Sequence, residues 1–161
     1  MYSAWRWFVV AAVVVAADQA TKAMVLGRFS AGEGVVMTPY FNLVLVYNKG
    51  AAFSFLSDAP GWQTPLLVGF ALVAMAVVAY MLVRSPGRLV LSLGLALILG
   101  GALGNVIDRL RFGQVVDFLD FHAGGYHWPA FNVADSAITV GAVLLILDGL
   151  RKHERRAGAA S

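Results

Sequence analysis

Between Gly100 and Asp135 the chain sets Asn105, Asp108, Arg109, Asp117, Asp120, Asn132 and Asp135 inside or beside strongly apolar sequence. Polar and ionisable groups at membrane depth cost roughly 2.5 kcal/mol or more each, so they persist where they are paired or used. Asp117 and Asp135 are the candidates for a catalytic pair. Two carboxyl groups held close together do not readily both ionise, so they share a proton and their acidities split. The ionised partner can then deprotonate a water while the protonated partner donates to a carbonyl oxygen. That chemistry hydrolyses a peptide bond without a metal ion or a covalent intermediate.

Other chemistries find less support in the same residues. The chain contains neither H-E-x-x-H nor G-x-S-x-G, the spacings that zinc peptidases and serine hydrolases use. His122 and His127, with Asp117 and Asp120, are a zinc alternative, although histidines in an interfacial loop are more often simply polar. Ser136 beside Asp135 has no base at a useful spacing. A purely structural alternative covers the whole set: an ion-pair network that locks the helices together. Arg109, able to neutralise Asp108, would leave Asp117 and Asp135 to share a proton.

Positioning these groups is the work of long apolar elements. The 161 residues are 60% hydrophobic and 13% charged, with a mean hydropathy of +0.75. A water-soluble domain of this length could not bury so much apolar sequence, so the chain is read as an all-α integral membrane protein, a single unit over residues 1–161. Four spans are expected at about 5–26, 65–84, 89–110 and 130–150. Leu66 to Val83 carries no charge and would cover roughly 27 Å, close to one hydrocarbon core. The first span could be a cleaved signal peptide; the Asp18-Gln19 pair directly after its apolar core favours a retained helix. Asp18 and Lys22 stand at i,i+4 with the acid first, the favourable order for a helical ion pair. They either neutralise each other at the interface or brace the neighbouring polar site. Asn105, Asp108 and Arg109 share one face of the third span, and Asn132 and Asp135 one face of the fourth.

Outside the spans, residues 27–61 and 111–128 are expected on the extracytoplasmic side. Phe41, Leu43, Leu45 and Tyr47 alternate with Asn42, Val44, Val46 and Asn48, a period of two that predicts strands on the membrane surface. Asn48-Lys49-Gly50 is a turn signal, and Ala51 to Phe55 suits an interface or a peptide-binding face. The short GQVVDFLDF stretch could dip back and bring Asp117 opposite Asp135. Seven Lys and Arg flank one side of the spans (Arg6, Arg84, Arg88, Arg151, Lys152, Arg155, Arg156) and four the other (Arg28, Lys49, Arg109, Arg111). The positive-inside rule then puts both termini in the cytoplasm, and reads the Arg151–Arg156 cluster as a helix flank instead of a nucleic-acid patch. Trp62, Tyr126 and Trp128 form the expected outer aromatic belt. The absence of cysteine excludes disulfide and thiol chemistry.

Five blocks in order resemble lipoprotein signal peptidase (signal peptidase II), an aspartic peptidase of bacterial membranes. They are Asp18-Gln19 with Lys22, Asn48-x-Gly50-Ala51-Ala52-Phe53, GGALGNVIDR, Val115-Val116-Asp117-Phe118, and Phe131-Asn132-x-Ala134-Asp135. The resemblance covers nearly the whole chain. It implies four membrane helices, a small extracytoplasmic β layer and an extracytoplasmic loop near the site. It implies a catalytic dyad of Asp117 and Asp135, with Asn48, Asn105, Arg109 and Asn132 supporting substrate and dyad, and Asp18, Lys22 and Asp108 as structural polar support. It also implies cleavage of diacylglyceryl-modified prolipoproteins before the lipidated cysteine, inhibition by the cyclic peptide globomycin, and no metal or other cofactor. The expected protein is a monomer in the bacterial inner membrane, in contact with its lipids and not with nucleic acid. From other classes, the alternatives are a carrier or channel using the acids as a proton path, and a non-catalytic lipoprotein-binding factor.

Overall fold

A computed structural model describes residues 4–50, 62–85 and 87–157, with side chains as far as 152. Four helices, α1 (Trp5–Leu26), α2 (Gln63–Arg84), α3 (Leu89–Phe112) and α4 (Val133–Ala157), are joined by two pairs of strands, β1 (Gly34–Thr38) and β2 (Phe41–Asn48) between α1 and α2, and β3 (Val115–Ala123) and β4 (Tyr126–His127) between α3 and α4. Each helix is long and apolar enough to cross a membrane. Apolar side chains on α2 face outward, Phe70 being 74% exposed, as expected of a surface solvated by lipid instead of water.

The third helix is the axis of the bundle, packing against α1, α2 and α4. Small residues allow the backbones to approach closely. At Gly104 an added Cβ would lie 2.6 Å from Asp18 Oδ2, so a side chain there would displace the acid. Gly113 ends the helix in the left-handed conformation, φ 73°, with its N–H donated to the Arg109 carbonyl, the usual glycine stop. At one end of the bundle Ala11, Leu82, Leu91, Leu95 and Leu99 form an apolar core, and Arg88 pairs with Asp148.

At the other end lies the sheet, antiparallel in the order β1-β2-β3-β4. The alternation expected around residues 41–48 is strand β2. Two further strands form within 111–128, because GQVVDFLDF pairs along β2, with Val46 opposite Asp117 and Asn48 opposite Val115. Strand alternation then divides β3. Val116 and Phe118 pack with Val25 of α1 and Leu45, while Asp117 points the other way.

The fourth helix begins at Val133, three residues later than the apolar pattern suggested. Phe131 exchanges backbone hydrogen bonds with Leu119, N–H to O at 3.1 Å and O from N–H at 2.8 Å, so its peptide is committed to β3 and cannot be helical. The Ala51 to Phe55 stretch lies outside the described residues.

Candidate active site

Asp117 reaches the site from β3, and Asp135 from the first turn of α4. Asn132 joins them. It is fully buried and caps α4, its Oδ1 accepting the Asp135 N–H at 2.9 Å. This is the N-cap bond that satisfies an otherwise free helix donor. Its Nδ2 donates to Asp117 Oδ1 at 2.7 Å and to Asn105 Oδ1 at 3.2 Å. Asn105 Nδ2 donates to Asp135 Oδ1 at 2.7 Å. Asn48 makes two side-chain hydrogen bonds. Its Oδ1 closes the turn by accepting the Gly50 N–H at 2.9 Å, and its Nδ2 donates to Asp117 Oδ2 at 3.1 Å.

Both oxygens of Asp117 thus accept from neutral amides. Among the described residues, Asp135 Oδ2 accepts from none. Burial, aided by the nearby Asp135 charge, pushes the Asp117 carboxyl from 3.8 up to about 7, against the opposing pull of the Asn48 and Asn132 hydrogen bonds and of Lys22. A buried acid poised near neutrality, facing a second acid, suits proton transfer. Asp135 borders a cavity of about 400 Å³. Asn48, Asn105 and Arg109 line its polar side; Leu67, Phe70 and Ala71 of α2 and Ile138 of α4 line its apolar side.

The family model for Signal peptidase (SPase) II matches residues 10–151. The chain belongs to the signal peptidase II family. A lipoprotein signal peptidase of Burkholderia mallei (strain SAVP1) is 56% identical over 146 residues, 91% of this chain and 88% of that one. One of Cupriavidus necator is 55% identical over 149 residues, 92% and 85% of the two chains. Two solved structures described as bacterial membrane enzymes, determined by the in meso method, share the fold. One, at 2.3 Å, has a TM-score of 0.84 and 30% identity, covering 93% of this chain and 90% of its own. The other, at 1.9 Å, has a TM-score of 0.79 and 30% identity, covering 91% and 96%. As a signal peptidase II, the chain is a protease of the membrane.

Beside the aspartate pair of this signal peptidase II is a second polar cluster. Lys22 Nζ lies 2.9 Å from Asp18 Oδ2 and 2.7 Å from Asp108 Oδ2, and donates to Asn105 Oδ1 at 3.2 Å. The ion pair of Asp18 and Lys22 is therefore not closed on itself; it braces the neighbouring site. Asp108 has Lys22 as its cation, where Arg109 was expected. Arg109 instead donates from Nη2 to the Gly50 carbonyl at 2.8 Å, tying α3 to the turn after β2.

Gln19 carried no assigned role in the sequence, yet its Nε2 donates to Asp108 Oδ1 at 2.9 Å, Asp18 Oδ2 at 3.2 Å and the Gly104 carbonyl at 3.3 Å. Its signal was an amide beside an acid in an apolar helix. Asp120 and the two histidines stand apart from the site. Asp120 accepts from Asn42 and pairs with His127, and His122 stacks on His127. No group of three or more His, Cys, Asp or Glu able to hold a metal ion occurs among the described residues.

Proposed function

We propose that Asp117 and Asp135 are the catalytic dyad of a membrane aspartic endopeptidase that removes the signal peptide from prolipoproteins. The single observation that carries the assignment is the site's like-charged pair. Two acids on different elements, Asp117 buried and Asp135 lining the cavity, are bridged by Asn132 and partnered by neutral amides. In the resting site the pair retains one proton near neutral pH. The ionised carboxylate takes a proton from water, and the hydroxide adds to the scissile carbonyl carbon. The partner carboxyl donates its proton to the carbonyl oxygen. Collapse of the gem-diol expels the amine, which takes the proton held by the first carboxylate, while one gem-diol hydroxyl returns its proton to the second.

Substrate chemistry follows from the cavity's two sides. The apolar wall between α2 and α4 suits a hydrophobic signal segment, and Asn48, Asn105 and Arg109 suit the peptide backbone at the scissile bond. Arg109 Nε is buried without a hydrogen-bond partner among the described residues, a donor available to a substrate carbonyl. The family resemblance makes the substrate a diacylglyceryl-modified prolipoprotein cut before its lipidated cysteine, and globomycin a competing ligand of the same cavity. The lipid chains stay in the bilayer.

Both termini are cytoplasmic in this reading, and the sheet and dyad lie toward the extracytoplasmic face of the inner membrane. The charge bias across the helix ends supports that orientation. The protein works as one integral membrane unit, a monomer among lipids that needs no cofactor. Because the chain lacks cysteine, Ser30→Cys and Gly87→Cys test the topology. An impermeant thiol reagent added to intact cells should label the first and spare the second.

The decisive experiment uses purified protein in lipid with a diacylglyceryl-modified prolipoprotein. Asp117→Asn and Asp135→Asn should each stay folded, bind substrate and lose cleavage. Turnover retained by either variant overturns the dyad.

A further inference from the structure

The two dyad aspartates sit on separate elements, and each is preceded by a residue whose backbone N–H is held by another acid. Val116 N donates to Asp108 Oδ2 at 3.1 Å, just before Asp117. Ala134 N donates to Asp18 Oδ1 at 2.9 Å, just before Asp135. One ammonium joins these two carboxylates, because Lys22 Nζ lies 2.7 Å from Asp108 and 2.9 Å from Asp18. Its third contact, Asn105 Oδ1 at 3.2 Å, belongs to the amide that donates to Asp135 Oδ1. All three protons of the ammonium are therefore engaged, and the side chain is 2% exposed.

We propose that Lys22 is the positioning residue of the active site. Through Asp18 and Asp108, it holds the peptide preceding each catalytic aspartate and so sets the separation of the pair. This inference rests on the dyad assigned above.

Physical reasons favour positioning over simple stability. A buried ion pair gains little net stability, since desolvation offsets the Coulomb attraction. Charge-assisted hydrogen bonds are short and directional; apolar packing alone would leave β3 and α4 free to shift by fractions of an ångström. Catalytic geometry is intolerant of such shifts, and a 1 Å displacement lowers rates by about 10²-fold. The structure uses one cation to restrain two independent peptides, an arrangement that a helix-to-helix brace would not need.

The test compares Lys22→Met and Lys22→Arg in lipid with the same prolipoprotein substrate. Lys22→Arg should melt within a few degrees of the parent and Lys22→Met lower, because it leaves two buried carboxylates without their cation. Each folded variant should leave KM within about twofold and lower kcat by about 10²-fold. In Lys22→Met the alkaline limb of the kcat–pH profile should move to higher pH. Asp117 is faced by Asp135 from α4, by Arg109 from α3 and by Lys22 from α1, and removing Lys22 makes its proton harder to lose. A third variant, Lys22→Met with Asp18→Asn and Asp108→Asn, removes the buried charges while retaining side-chain oxygens for the two peptides. It should fold, yet keep the low kcat.

Parent kcat and pH profile in any folded Lys22 variant would overturn the positioning role. Loss of folding in all three would also overturn it, by making the cluster a structural brace. Asp117→Asn and Asp135→Asn are run alongside. If they are inactive while the Lys22 variants are normal, only this inference fails; if they turn over, the dyad itself fails.

Discussion

Two pairs of aspartates lie side by side at one end of this bundle, in different surroundings. Asp18 and Asp108 share a cation, are at most 1% exposed, and accept from Lys22, Gln19 and backbone N–H groups. Asp117 and Asp135 receive only neutral amides at their side chains, and Asp135 borders the cavity. A matched cation engages a buried carboxylate in an ion pair. Withholding the cation leaves a like-charged pair, the arrangement that the proposed hydrolysis uses. Lys22 sits close enough to distinguish the pairs, in contact with one and linked to the other through Asn105 and through the peptides that Asp18 and Asp108 hold.

The comparison breaks most sharply if the open pair is made neutral. Asp117→Asn or Asp135→Asn should lower turnover by about 10³-fold or more, the scale of a lost acid–base partner, read with lipidated substrate under single-turnover conditions. Next in size is a pH effect on stability. Below 3.8 the Asp117 carboxyl is protonated whether the chain is folded or not. Between 3.8 and about 7 the unfolded chain releases its proton while the folded one keeps it. Stability from this group is therefore complete at low pH and falls as pH rises, by on the order of 4 kcal/mol, levelling above about 7. Melting temperatures across that range should slope downward in the parent, and that slope should flatten in Asp117→Asn.

Intrusion on the sealed pair should have a smaller effect. Gly104→Ala pushes a methyl against Asp18 Oδ2 and should destabilise by about 1–3 kcal/mol, measured by thermal unfolding in detergent. Filling the open side has a different signature. Ala71→Trp on the apolar cavity wall should raise KM by roughly tenfold with kcat little changed, as expected when ground-state and transition-state binding are lost alike. The smallest effect belongs to a third carboxylate, Asp120, whose partner His127 is 55% exposed. His127→Ala should leave both turnover and stability nearly unchanged, within ~1 kcal/mol.

Much of this was open to reading in the chain itself. Apolar runs too long for a small soluble core require a membrane, and alternation at Phe41 to Asn48 requires strands. These are local, periodic signals, written into consecutive residues. The chemistry of the candidate residues could be read for the same reason, since two acids in apolar sequence are costly wherever the fold puts them. What only the tertiary structure decided is who meets whom. Asp108 takes Lys22 and not Arg109, Gln19 joins three acceptors, and Asn132 leaves the helix face to cap it and bridge the dyad. The start of α4 moved because Phe131 bonds to Leu119, a contact across the chain that no window of neighbouring residues contains. Hydrogen bonds between residues up to 116 positions apart, such as that from Ala134 to Asp18, depend on how helices and sheet pack. Packing is a property of the whole apolar surface at once, so it has no signature at any one position.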